Sequence, residues 1–154
     1  LGVITPEVVS LRKKYGLPGM AVLQFGFDAF DDNPHKPKNI HTDTVVYTGT
    51  HDNNTTLGWY ESLDEDVQQH VRAMLGITME QNIVDSLIDV ALSTQACLAI
   101  LPMQDLLHLG EEARMNQPGT VENNWKWRFD WEQLTPALVA KTREQPLTVG
   151  RAGV

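Results

Sequence analysis

A chain of 154 residues, 42% hydrophobic and 21% charged, has enough apolar side chain for a real core and fits one domain or part of a larger one. A formal net charge of -8 argues against a nucleic-acid backbone or an anionic membrane surface as partner, and suits a neutral substrate. The single cysteine, Cys97, excludes an intrachain disulfide, and its apolar neighbours predict a small buried hydrophobe in a reducing compartment.

Leu1 opens the chain without a methionine, in a turn-like "LGVITP" that reads as an interruption and not as a natural start. No basic segment followed by an apolar one suggests a signal peptide. Thr5 and Pro6 then have the character of an N-cap and first helical residue, and Val8, Leu11 and Tyr15 recur at helical spacing up to Gly16. "MAVLQF" (20–25) predicts a strand covered on both faces. Residues 26–43 carry no apolar period and read as a long loop of the functional or disordered kind.

"TVVYT" (44–48) predicts a second strand, with a helix following near 55–60. Ser62 with Glu65, and Thr78 with Gln81, have capping-box spacing ahead of two amphipathic helices. Their stripes are Val67, Val71, Met74 and Leu75, then Ile83, Val84, Leu87, Ile88 and Ala91. "ACLAIL" (96–101) is a third strand candidate, and with "PM" it makes the longest apolar run, far short of the ~20 residues that span a bilayer. A short helix near 105–109, an irregular "ARMNQPGTVENNWKWRF" and a last helix from Thr135-Pro136 to about Glu144 complete the order. Strands separated by helices indicate parallel βα units. Three such units are less than half of a (β/α)₈ barrel, which needs ~250 residues.

In parallel α/β folds the strand C-termini form the active-site face. His51 and Asp52 fall just past such an end, as do Asp28 and the pair Gln104-Asp105. An Asx turn by Asp52 onto the following amides would also account for the pair. Metal binding is a rival for His51, Asp52, His35 and His41, but there is no HExxH, no cysteine cluster and no EF-hand spacing. Neither a GxSxG elbow nor a P-loop or GxGxxG is present. Of the tryptophans, Trp127 and Trp131 suit packing, whereas Asn124 and Trp125 lie in an irregular loop where a sugar could stack and bond.

Taken together and in order, "LGVITPEVVSLRKKYGLPGMAVLQF", "VVYTGTHDNNTTLGWY", "EEARMNQPGT" and "NNWKWRF" resemble the C-terminal part of the amylomaltases, the 4-alpha-glucanotransferases of glycoside hydrolase family 77. The resemblance runs from Leu1 to about Trp131. It implies a retaining α-glucan transferase on a (β/α)₈ TIM barrel, of which this α/β chain, residues 1–154, is the C-terminal portion with about strands six to eight and their helices. It further implies an aspartate nucleophile and a glutamate acid/base. The family's glutamate lies in "EDLG", so both residues would fall upstream of Leu1 and the chain would be an inactive fragment.

On the same resemblance, Asp52 is the third catalytic carboxylate, holding the 2- and 3-hydroxyls of the reacting glucose and favouring its distortion. His51 would donate to the same sugar, with Asn124 and Phe25 as further substrate-binding residues. Asn54 stands where relatives often carry Asp. The implied partners are maltooligosaccharides and other α-1,4-glucans, in a cytoplasmic setting, with no cofactor, no metal, no nucleic acid and no membrane. A non-catalytic glucan-binding module using Trp125, Asn124, His51 and Asp52 is the alternative.

Overall fold

Thr5 opens the first helix, α1 (Pro6–Lys14), with its hydroxyl accepting from the Val8 amide and Pro6 at a position where no amide is needed. The computed structural model describes residues 4–151. After α1 come β1 (Gly19–Val22), β2 (Thr44–Tyr47), α2 (Thr56–Glu61), α3 (Glu65–Leu75), α4 (Ile83–Ser93), β3 (Leu98–Ile100), α5 (Met103–Leu106) and α6 (Pro136–Thr148). The three strands form one parallel sheet in the order β1-β2-β3. Helices intervene between β2 and β3, and a loop connects β1 to β2.

Register explains which face is covered. Ala21, Val46 and Ala99 are in line across the sheet and pack on α4 through Leu87 and Ala91. A second cluster, with Tyr60, Val71, Val84 and Ile88, joins α2, α3 and α4 behind it. The opposite face carries Met20, Val45 and Leu98 in one row and Val22, Tyr47 and Ile100 in the next. Met20, Leu98 and Ile100 are exposed there, so this apolar face is open, unlike the doubly covered sheets usual for parallel strands. The apolar stripe of α1 (Val8, Leu11, Tyr15) is exposed as well.

Several local expectations shift. The strand expected over 20–25 ends at Val22, and Leu23–Phe25 form a 3-10 turn. Ser62 does not cap α3: it closes α2, its amide reaching Gly58 and its hydroxyl donating to the Trp59 carbonyl at 2.7 Å, and Asp64 takes the N-cap position. Only three residues separate α2 from α3, so Ser62 is used by the helix before it. Thr78 and Gln81 make one half of a box, the Thr78 amide donating to Gln81 Oε1. Asn82 is the actual cap of α4, its Oδ1 accepting from both Val84 and Asp85. The short helix starts at Met103, earlier than expected, and α6 continues through Pro146 to Thr148. Cys97 is exposed, with Sγ 3.2 Å from the Thr44 carbonyl, instead of buried. Trp131 is 79% exposed, edge-on to Phe129, and so packs no core among the described residues.

Over 28–40 the loop is held by its own side chains and by Val22 and Phe25, and Asp43 at its end is held by Arg12 and Gly19. Asn33 donates to the Phe25 carbonyl and to Asp28, Asn39 donates to the carbonyls of Asp31 and Asn33, and the Val22 amide donates to His35 Nδ1 at 3.0 Å. Asn33, Asn39 and Asp28, among the polar residues that make this stretch look unstructured in the sequence, bond the loop's own backbone.

Candidate functional site

At the C-terminal ends of the three strands lies a cavity of about 810 Å³, with Met20, Tyr47 and Ile100 of the open sheet face among its lining. The segment 49–55, between β2 and α2, forms one wall, Phe25 another, and Gln104, Arg114, Met115 and Pro118 contribute to the far side. A cavity with apolar residues and a few convergent polar groups has the general character of a small-molecule site.

The β2–α2 loop is folded by its own residues. Asn53 Oδ1 accepts from the amide of Thr50 at 3.0 Å and from its hydroxyl at 2.7 Å. Asn53, reaching back to Thr50, closes the loop tip, and the Asp52 carboxylate makes no bond to the amides that follow it and is left for other partners. Its Oδ1 accepts from Asn116 Nδ2 at 2.6 Å and lies 3.3 Å from His51 Nε2. No hydrogen bond reaches Oδ2 from the described residues. The side chains of His51 and Asp52 are 55% and 52% exposed, so both are open to a ligand.

Two further contacts fix this tip. Arg114 donates to the Asp52 carbonyl at 2.9 Å, and its own Nε donates to the Asn116 carbonyl. The Trp125 ring lies 5.0 Å from the His51 ring, tilted by 39°. Trp125 adopts φ 61, a left-handed conformation uncommon for a bulky residue, and its amide donates to the Met115 carbonyl at 2.7 Å. Buried Gln104 ties this region to β3 by donating to the Ala113 carbonyl.

Of the residues singled out in the sequence, Phe25, His51, Asp52, Asn54 and Gln104 line one cavity. Asn124 lies elsewhere: its Oδ1 accepts from the Gln117 amide and its Nδ2 donates to Thr120, so its amide closes the 117–124 turn. Asp28 is engaged by the Phe30 amide and Asn33 in the 26–39 loop. Asn54 bonds the Thr55 amide through its side chain and accepts from Gln24 through its carbonyl. Among the described residues no three His, Cys, Asp or Glu side chains are grouped to hold a metal ion. Sequence reasoning missed Arg114 and Asn116 as partners of Asp52; "EEARMNQPGT" carries part of the family resemblance, but no periodicity or spacing in it ties either residue to Asp52.

A half-open carboxylate beside an imidazole, at the C-terminal ends of parallel strands and over an apolar sheet face, defines the class: a parallel α/β protein with a polar ligand site on its strand-end face. The family model described as 4-alpha-glucanotransferase matches residues 1–135, and the chain belongs to that family, glycoside hydrolase family 77. It is 52% identical over 139 residues to the 4-alpha-glucanotransferase of Synechocystis, covering 90% of this chain and 28% of that protein. It is 52% identical over 129 residues to the chloroplastic/amyloplastic enzyme of that name from Arabidopsis thaliana, covering 84% of this chain and 22% of that protein. Among solved structures, the amylomaltase of Streptococcus agalactiae in complex with acarbose superposes with a TM-score of 0.93 at 32% identity, over 99% of this chain and 31% of that one. The chain thus spans less than a third of the length of these relatives. The likeness confirms a parallel α/β fold matching part of an amylomaltase.

Proposed function

We propose that this chain forms the C-terminal portion, about strands six to eight, of the (β/α)₈ barrel of a 4-alpha-glucanotransferase. The reaction is transfer of α-1,4-glucan segments between maltooligosaccharides by a retaining double displacement. Membership of the family and the 0.93 superposition support it. The open apolar face of the sheet and the uncovered stripe of α1 agree with a larger packed whole.

The observation that carries the site reading is the state of Asp52. One carboxylate oxygen is held by Asn116, the other carries no protein hydrogen bond among the described residues, and the residue faces a cavity. Such a group can take two neighbouring sugar hydroxyls. Its negative charge stabilises positive charge developing on the glucose ring more than it stabilises the neutral ground state. His51 donates to the same sugar and Phe25 offers an apolar face to the ring. Asn124, by closing its turn, supports the loop that carries Trp125. The family resemblance implies that the nucleophile and the acid/base lie outside these 154 residues. The chain by itself is accordingly inactive, and no cofactor enters the reaction.

The resemblance suggests a cytoplasmic setting. No helix among the described residues is long and apolar enough to cross a membrane. The test is the natural protein that contains these residues, incubated with maltotriose. Glucose together with maltooligosaccharides longer than the substrate is the expected product pattern. No transfer by that protein, or glucose release by the purified 154-residue chain alone, would overturn the assignment.

A further inference from the structure

We propose that Asp105, a buried carboxylate that faces no sugar, is the positioning residue that sets where His51 and Asp52 point; the inference rests on the site reading above. Asp105 is 1% exposed, in the first turn of α5 just beyond β3. Its Oδ2 accepts from the Thr48 hydroxyl at 2.5 Å and from the Thr56 hydroxyl at 2.8 Å, while Oδ1 accepts from the Thr56 amide at 2.8 Å. Thr48 directly follows β2 and Thr56 is the first residue of α2. One carboxylate from the neighbouring unit therefore joins both ends of the loop that carries His51 and Asp52.

The opposite side of that loop is held from β1. Buried Gln24 donates to the Asn54 carbonyl at 3.1 Å. Gly49 leaves room for it, since a Cβ there would lie 2.6 Å from Gln24 Nε2. The loop's own bonds, Thr50 to Asn53, shape the tip alone. The base of the loop is fixed from outside, and Asp105 supplies three of its bonds. Only a carboxylate accepts from two hydroxyls at one oxygen and from an amide at the other. An asparagine at 105 keeps the amide contact and turns a donor toward both hydroxyls.

A shift of about 1 Å in a reacting-site group can cost on the order of 10²-fold in rate. Moving Asp52 affects a contact that strengthens in the transition state, so turnover should fall more than substrate affinity. The test measures kcat and KM on maltotriose for the natural protein, well below its melting temperature, with Asp105→Asn, Thr56→Val and Thr56→Ser. Asp105→Asn and Thr56→Val should lower kcat about tenfold or more with KM changed less than about threefold, and Thr56→Ser, which keeps the hydroxyl, should recover most of the rate. A lowered melting temperature with wild-type kcat would make Asp105 a structural staple and overturn the proposal, as would a serine variant no better than valine. Should Asp105→Asn fail to fold, the valine and serine pair decides. Wild-type transfer activity abolished by Asp52→Asn supports the site reading independently, so failure of the positioning role is separable from failure of that reading.

Discussion

Asn116 holds Asp52 by one carboxylate oxygen only, its Nδ2 donating to Oδ1 at 2.6 Å across 64 positions of sequence. The bond leaves Oδ2 directed by a neutral donor, and it adds no competing positive charge beside the carboxylate. On the role proposed for Asp52, a lysine there would neutralise the charge that a developing oxocarbenium would meet. Asn116→Ala in the natural protein should therefore cost turnover about 5- to 10-fold, the value of one hydrogen bond of roughly 1 kcal/mol to an ionised acceptor at a half-open site. Steady-state rates on maltotriose check this. Unchanged turnover would mean that Arg114 and the Asn53 turn suffice to aim Asp52.

Gly58 tests the packing that brings α2 beneath the site. A Cβ at this helical position would lie 2.7 Å from Asn54 Oδ1 and 2.8 Å from the Glu111 amide nitrogen. At an exposed helix position Gly→Ala stabilises by roughly 1 kcal/mol. Here the backbone around Glu111 must move, so Gly58→Ala should destabilise by about 1–3 kcal/mol. Denaturant unfolding gives the sign, and a stabilised variant would show that the segment over 111–114 yields freely.

His35 makes stability depend on pH. Burial lowers its pKa from the ordinary 6.5, and the Asp28 carboxylate acts in the opposite direction. The neutral ring accepts the Val22 amide through Nδ1 and sits edge-on to Phe25 at 5.5 Å. With the folded pKa below the unfolded value, this contribution is fully present above about pH 6.5 and is lost as pH falls through the folded pKa. Melting temperature between pH 8 and 5 should fall less steeply for His35→Asn, whose amide oxygen can accept the same bond at every pH. Parallel curves for the two proteins would remove His35 as the source.

How legible the site was in the sequence depended on the range of its interactions. The β-branched run "TVVYT" announces a strand, and the polar residues after it announce a strand end, because both signals are local. Which residue closes the loop tip was not legible: Asp52 and Asn53 carry equivalent side-chain oxygens, and it is Asn53 that reaches back to Thr50 while Asp52 meets Asn116, 64 positions away. Asp105 is legible as a polar residue just past a strand end, but its role is not, because its contacts lie 57 and 49 positions away. The open sheet face was not legible from the strands alone, since "MAVLQF" and "ACLAIL" carry the apolar character of strands covered on both sides; it follows only from the resemblance to a barrel of which three strands are less than half. Ser62 misled for a local reason: two helix ends three residues apart compete for one hydroxyl.

The decisive prediction concerns Asp52 itself. Asp52→Asn keeps the size of the side chain and a carbonyl oxygen that can accept, but removes the charge. If Asp52 holds the hydroxyls of a glucose ring on which positive charge develops, the lost contact is one that is stronger in the transition state than in the ground state. A charge-assisted hydrogen bond is roughly twice as strong as a neutral one. Losing one such transition-state contact costs on the order of 3–4 kcal/mol, or about 10²–10³ in rate. If Asp52 serves only the loop, the outcome is different, because the loop tip is closed by Asn53 onto Thr50 and the Arg114 bond goes to the Asp52 main-chain carbonyl. Neither depends on the carboxylate, so folding should be nearly unchanged in either case. Transfer rate on maltotriose, beside the melting temperature, separates the two. A stable protein with turnover reduced by about 10² or more is expected; a stable protein with near-normal turnover would leave the exposed carboxylate without a catalytic role.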